Sequence, residues 1–151
     1  MKTIPLKAKF NEIAVCVEAA PLVLETAHAT KGIDLDVTVP AGRVVEAARI
    51  MDEAQFMIEA ITGVDWMADK QLEIVYDFTH VDSGERVAIR ARVPRDTPEL
   101  PTISDIYPGA NWHERETHDF FGIIFTGHPE LIPLLLPEDA RFHPLRKDFK
   151  A

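Results

Sequence analysis

Four of the six histidines lie in the C-terminal third of the chain, beside acidic and basic residues with which they could do chemistry. The run HERETH begins at His113 and invites comparison with the zinc-protease pattern HExxH, whose two histidines bind one metal from one face of a helix. His113 and His118 are five residues apart, which turns them about 140° from each other around a helix. The spacing therefore argues against a zinc protease.

Other combinations of the same side chains could still form a metal site. Glu114 and His118 are four residues apart, and His128 or His143 could supply a third ligand if the chain folded back. Each of the two latter histidines precedes a proline, which favours extended backbone, and no serine or cysteine nucleophile is close in sequence. A stand-alone metal-dependent enzyme is kept as the remote alternative, and we predict no catalytic, cofactor-binding or metal residue.

Charged and aromatic residues follow helical spacing through the same run. Arg115 and Asp119 are four residues apart and could form an ion pair, while Glu116 is close to Trp112 and Phe120 on a neighbouring stripe. Such spacing fits a solvated face of ion pairs or a fixed polar network that faces a partner chain. We predict the network.

The charge balance argues against nucleic acid as a partner. The chain has 16 basic and 25 acidic residues and a net charge of −9, which would repel a phosphate backbone. Residues 141–150, RFHPLRKDFK, form a basic patch on this acidic body. A basic segment of this kind could supply arginine anchors to a protein interface.

The single cysteine excludes two kinds of site. Cys16 cannot form an internal disulfide, nor can it supply the ligands of an iron–sulfur cluster. We expect it to be buried in the first helix. No apolar run approaches the ~18 residues that span a bilayer, so we expect a cytoplasmic protein that does not span the membrane.

The elements that must position these residues can be read from periodicity. Strict alternation predicts strands, and apolar residues three and four apart predict helices. The predicted order is a helix over 8–20, a hairpin of strands over 21–28 and 33–40, a helix over 41–56, and strands over 57–66, 71–81 and 85–94. This order predicts a single α+β domain, with a mixed or antiparallel sheet covered by helices and a core over residues 1–101.

From Pro94 onward, frequent prolines limit the length of any regular secondary structure. Seven of the eleven prolines lie between Pro94 and Pro137, which leaves room for one helix of about three turns between Pro108 and Gly122. We expect residues 102–151 to be this helix followed by an extended, proline-rich C-terminal arm of the same domain. The leucines of ELIPLLLPE could cover the domain's own sheet or dock on another subunit.

Several ordered motifs in this region resemble a known family. They are PGANW, ERE with Asp119 and Gly122 behind it, GHPEL, LPED and HPLRKDF, and they are dense over residues 101–149. This run is similar to the signature of the family of the respiratory complex I 30 kDa subunit, which is also called the C subunit. That family has relatives in membrane-bound [NiFe] hydrogenases and F420H2 dehydrogenases.

The resemblance implies a non-catalytic, cofactor-free hydrophilic-arm subunit of an ion-translocating NADH:quinone oxidoreductase-type complex. It would scaffold the large quinone-site (hydrogenase-like) subunit beside the Fe–S small subunit, peripheral to the cytoplasmic side of the cell membrane. The partner subunits would hold Fe–S clusters, with NiFe, FMN or quinone as further candidates. The equivalent subunit of a group 4 membrane-bound [NiFe] hydrogenase or of an F420H2 dehydrogenase is the alternative.

The resemblance also assigns partner-binding or structural roles to motif residues. These are Arg115, Glu116, Asp119, Gly122, His128, Pro129, His143, Pro144, Arg146, Lys147 and Asp148. The chain departs from the pattern at Ile132 and Pro133, where family members often carry arginines. Partner contacts that depend on those two positive charges are therefore not expected here.

Overall fold

Nine strands and four α-helices make up the described part of the chain, residues 3–18 and 20–151 of this computed structural model. In chain order they are α1 (Thr3–Asn11), β1 (Cys16–Val17), β2 (Ala20–Pro21), β3 (Val23–Glu25), α2 (His28–Lys31), β4 (Leu35–Thr38), α3 (Val44–Glu53), β5 (Phe56–Trp66), β6 (Gln71–His80), β7 (Arg86–Pro94), β8 (Glu99–Pro101), α4 (Ala110–Phe121) and β9 (Ile124–Thr126).

The central sheet has five strands in the order β3-β4-β7-β6-β5. β4 and β7 are parallel, and the other neighbours are antiparallel. A parallel pair needs a crossover connection, and here α3, β5 and β6 lie between the two strands in sequence. The structure thus confirms a mixed-sheet α+β domain.

Alternation explains the two faces of the sheet. On β7, Val87, Ile89 and Val93 are almost fully buried, while Arg90 and Arg92 lie on the opposite face. That face carries ion pairs across strands, such as Arg90 to Asp36 at 2.7 Å. One face therefore builds the core and the other holds a ladder of paired charges.

Helices α3 and α4 cover the core face. α3 buries Val44, Ala47, Ala48 and Met51 at helical spacing, as predicted for residues 41–56. α4 packs against β5 at Gly63, where an added Cβ would lie 2.5 Å from the Phe121 ring. Glycine at this position lets the helix approach the strand closely.

The helix predicted over residues 8–20 is wrong in position. The observed α1 ends at Asn11, and Val15 beyond it forms backbone bonds with Leu22 and with Thr38 at the end of β4. Pairing of the β-branched Val15 with the sheet edge outweighs the helical spacing of this stretch. Residue 19 of the predicted helix lies outside the described residues.

The predicted burial of Cys16 is also wrong. Cys16 lies on β1, pairs with Pro21 of β2 and is exposed. Because the helix that was expected to bury it ends five residues earlier, its side chain does not reach the core. Within the described ranges, none of the helices is long and apolar enough to cross a membrane.

Candidate functional site

The site is built on α4, whose ends follow the predicted signals. The helix begins at Ala110, just after Pro108, and ends at Gly122, which has φ 75° and donates its N–H to the His118 carbonyl at 2.8 Å. This left-handed conformation favours glycine. The chain then forms β9, which pairs with β8.

Residues 127–151, the C-terminal segment, contain turns but neither helix nor strand among their described residues. They return across α4, and the extended arm expected from the sequence stays a prediction. The apolar residues of ELIPLLLPE were expected either to cover the domain's own sheet or to dock on another subunit, and the structure contains both packed and exposed ones. Leu131 packs against the core, whereas Ile132 and Leu135 are 49% and 62% exposed.

Two charged side chains of α4 hold this segment through its backbone. Arg115 donates from Nε to the Ile132 carbonyl at 3.1 Å and from Nη2 to the Pro133 carbonyl at 3.0 Å. Asp119 Oδ2 accepts the N–H groups of residues 134, 135 and 136 at 2.9, 2.7 and 3.1 Å. The predicted ion pair between Arg115 and Asp119 is therefore wrong, because each side chain is engaged with the backbone of the segment instead.

The hydrogen bonds of Asp119 explain why it binds the backbone of the segment rather than Arg115. Burial alone would raise the pKa of its carboxyl group, but the three backbone N–H groups outweigh burial and lower the pKa below its ordinary value. Converging N–H groups in a turn form a concave anion site. Sequence spacing could not predict this anion site, since the three N–H donors lie 15 to 17 residues from Asp119.

The HPLRKD motif completes the C-terminal end of α4. The last carbonyls of a helix lack partners within it, and three of them accept hydrogen bonds from this motif. The bonds run from His143 Nδ1 to Asp119 O (3.0 Å), from Leu145 N to Phe120 O (3.2 Å) and from Arg146 Nε to Phe121 O (2.7 Å). His143 and Arg146 thus have intramolecular contacts, and their contacts to a partner stay predictions.

An ion-pair cluster around the buried Asp65 ties the end of the motif to the sheet. Arg95 donates to both carboxylate oxygens of Asp65 at 2.9 and 3.0 Å and to Asp148 at 2.6 Å. The backbone N–H of Lys147 also bonds Asp65, at 2.8 Å. The Arg95 guanidinium lowers the pKa of both carboxyl groups. Asp65 and Arg95 carried no motif signal, because they are 30 residues apart and meet only when β5 and β7 both pair with β6.

Glu114 is a second buried carboxyl group on α4 and has no exposed surface. It accepts the N–H of Ile103 at 2.8 Å and the hydroxyl of Thr102. Burial raises the pKa of Glu114 to about 7.

His128 lies beside Glu114, with Nε2 3.8 Å from the carboxylate and its side chain fully buried. Its Nδ1 accepts the N–H of Glu130 at 3.0 Å, so the proton of a neutral ring is on Nε2, which contacts the Asn111 carbonyl at 3.2 Å. The ring therefore links α4 to the C-terminal segment as a neutral donor and acceptor. This arrangement leaves Glu114 without a cationic partner in His128.

The predicted metal alternative is not assembled by these side chains. His118 donates from Nδ1 to the Ile123 carbonyl at 2.8 Å. Across the residues that can be described, no group of three or more His, Cys, Asp or Glu side chains could hold a metal ion.

A groove of about 700 Å³ runs between α4 and the C-terminal segment. Glu116, a predicted site residue, lines it and is half-buried. The full lining is Pro108, Gly109, Asn111, Trp112, His113, Glu116, Glu130, Leu134 and Leu135. Of the remaining predicted residues, Pro129 is exposed and Pro144 is half-buried.

Comparison with known proteins places these features in a family context. The family model described as "Respiratory-chain NADH dehydrogenase, 30 Kd subunit" matches residues 37–151. The NADH-quinone oxidoreductase C subunit of Roseiflexus sp. (strain RS-1) is 42% identical over 120 residues, or 76% of this chain and 69% of that protein. The F(420)H(2) dehydrogenase C subunit of Methanosarcina mazei is 44% identical over 92 residues, or 60% of this chain and 58% of that protein.

Solved structures show the same fold. A chain of the membrane-bound sulfane sulfur reductase (MBS), an archaeal respiratory membrane complex, matches with a TM-score of 0.79 and 32% identity, over 99% of this chain and 86% of that one. The trypsin-resistant fragment (1-134) of Nqo5 matches with a TM-score of 0.70 and 27% identity, over 87% of this chain and all of the fragment. The likeness therefore extends across the sheet as well as the motif run.

Proposed function

The chain belongs to the family of the respiratory-chain NADH dehydrogenase 30 Kd subunit, and from this premise we propose that it is a cofactor-free scaffold in a complex I-like, ion-translocating oxidoreductase. Its partners are the large quinone-site or hydrogenase-like subunit and the Fe–S small subunit. Residues 102–151 are the docking part of the single domain, on the cytoplasmic side of the membrane.

One observation carries this proposal: the charged motif residues are used to hold backbone rather than to present reactive groups. Arg115 and Asp119 fix residues 132–136, and His143 and Arg146 complete the end of α4. The apolar side chains of Ile132 and Leu135 are left facing outward. A fixed backbone that presents exposed apolar side chains is suited to protein docking.

The electron carriers of the complex belong, on this proposal, to the partner subunits. Fe–S clusters, and NiFe, FMN or quinone according to the branch, would be bound there. The relative that is a subunit of an F(420)H(2) dehydrogenase supports the alternative that the complex takes electrons from a donor other than NADH.

Affinity purification of the tagged chain from its native membranes tests the proposal. Mass spectrometry is expected to recover a large subunit, a cluster-bearing subunit and membrane subunits, and the electron-input subunits will distinguish the branches. Ile132→Asp is expected to reduce this recovery at least tenfold. Val81→Asp is the matched control, because Val81 is 67% exposed on the turn after β6, outside the C-terminal segment.

A different result would reject the scaffold role. If the wild-type chain were recovered as an active monomer with one zinc per chain, the stand-alone metal-dependent enzyme would be the correct interpretation. Equal loss of recovery in both variants would show that Ile132 has no special part in docking.

A further inference from the structure

The groove between α4 and the C-terminal segment has two carboxylates with no partner of their own. Glu116 and Glu130 both line it, and within residues 3–18 and 20–151 neither carboxylate takes part in an ion pair or a hydrogen bond. Other charged side chains beside the groove are engaged, since Arg115 and Asp119 bond the backbone of the C-terminal segment. The groove thus carries uncompensated negative charge beside an apolar wall.

The rim of the groove is aromatic and aliphatic. Trp112 is 69% exposed and Leu135 is 62% exposed, and both line the groove. An exposed tryptophan face beside carboxylates attracts a planar cation, since the ring offers stacking and the carboxylates offer charge. Leucine and proline surfaces nearby can cover the methylene stem of a long basic side chain.

Both walls of the groove are held in place before any partner binds. His128 bonds the Asn111 carbonyl of one wall and the Glu130 N–H of the other. Asp119 fixes the N–H groups of Leu134 and Leu135. A fixed groove loses little conformational entropy on binding, which favours affinity.

We propose that this groove receives an arginine-bearing segment of the large partner subunit, with the guanidinium against Trp112 and beside Glu116 and Glu130. Arginine is favoured over lysine because its planar fork can stack on the indole and bond carboxylates at the same time. The volume of about 700 Å³ is larger than one side chain needs, so neighbouring residues of the partner segment enter with it. This inference rests on the proposed function and names the chemistry of the docked partner.

The first test measures binding of the full-length chain to membranes from cells that lack it. Trp112→Ala and Glu116→Gln are each expected to raise the Kd about tenfold, and Glu116→Lys about a hundredfold. Trp112→Phe should recover part of the affinity, because phenylalanine keeps an aromatic face. Glu99→Gln is the control, since Glu99 is exposed on β8 and does not line the groove, and its Kd should equal that of the wild type.

The second test identifies what lies in the groove. A photo-cross-linking amino acid at position 112 of the assembled complex is expected to attach to a partner peptide that contains an arginine, and alanine at that arginine should reproduce the loss seen in Glu116→Gln. Attachment to a peptide without a basic residue, or wild-type affinity in the Trp112 and Glu116 variants, would overturn the inference while leaving the scaffold role intact. Failure of the wild-type chain to bind the membranes at all would instead reject the proposed function, and the inference with it.

Discussion

At the scale of single residues, Glu114 and Asp119 on α4 are both buried, yet the pKa values of their carboxyl groups shift in opposite directions. Burial dominates at Glu114, which accepts one backbone N–H and one hydroxyl. At Asp119 three backbone N–H groups outweigh burial. The number of N–H donors that reach each carboxylate therefore decides the direction in which its pKa shifts.

We expect Glu114→Gln to change how stability depends on pH. Because the pKa of Glu114 is raised from 4.5 to about 7 in the folded state, its contribution to stability is fully present below pH 4.5 and is lost as pH rises to about 7. The loss amounts to about 3 kcal/mol. Glutamine does not titrate, so the free energy of unfolding of the wild type, relative to Glu114→Gln, should fall by that amount over this window.

Urea unfolding at a series of pH values measures the difference, with Glu99→Gln as the control. Glu99 is exposed, so its replacement should leave the pH dependence of the wild type almost unchanged. Parallel stability curves for wild type and Glu114→Gln would contradict a raised pKa for the buried carboxyl group.

At the scale of elements, the contact of α4 with β5 depends on the missing side chain of Gly63. An added Cβ would lie 2.5 Å from the Phe121 ring, and the ring is buried against the core. We expect Gly63→Ala to lower the free energy of unfolding by about 1–3 kcal/mol, because the helix must move away from the strand.

Thermal unfolding of matched alanine variants checks this expectation. Gly42 is the control, since its added Cβ would meet nothing within 4 Å, and Gly42→Ala should change the stability by less than about 1 kcal/mol. If Gly63→Ala proved as mild as Gly42→Ala, the close approach of α4 to β5 would not matter to the fold.

Elements with a clear hydrophobic periodicity, or with clear boundaries at proline and glycine, could be predicted from the sequence. The strands β5, β6 and β7 and the helix α3 were predicted from alternation or helical spacing, and α4 was predicted from the room that the prolines leave between Pro108 and Gly122. The prediction failed between Asn11 and Cys16, where pairing with the sheet edge competes with a weak helical spacing. Arg115 and Asp119 were predicted to belong to a polar network. Their backbone partners could not be predicted, because tertiary folding brings them together and local spacing does not.

At the scale of the whole molecule, the core does not depend on the C-terminal segment. The side chains of the described core that are almost fully buried and hydrophobic lie between Leu6 and Phe125, and Leu131 is only packed against them. The segment contributes polar anchors instead, through Asp119, Asp65 and the carbonyls at the end of α4.

Deletion of residues 127–151 is therefore expected to leave a folded domain that unfolds cooperatively. The free energy of unfolding should fall by about 2–4 kcal/mol, because several hydrogen bonds to charged groups are lost. Circular dichroism during urea unfolding measures the stability, and recovery with the membrane complex measures assembly, which we expect to be abolished. Loss of the cooperative transition would show that the segment is part of the core after all.

The bonds at the end of α4 also set an order of events during synthesis. The carbonyls of Asp119 and Phe121 find their partners 24 and 25 residues further along the chain, and Asp65 receives the Lys147 N–H after 82 residues. A chain is made from its N-terminus, so the strands of the sheet are synthesised before the residues that complete α4. On the proposed function, the docking surface is therefore the last part of this domain that can form.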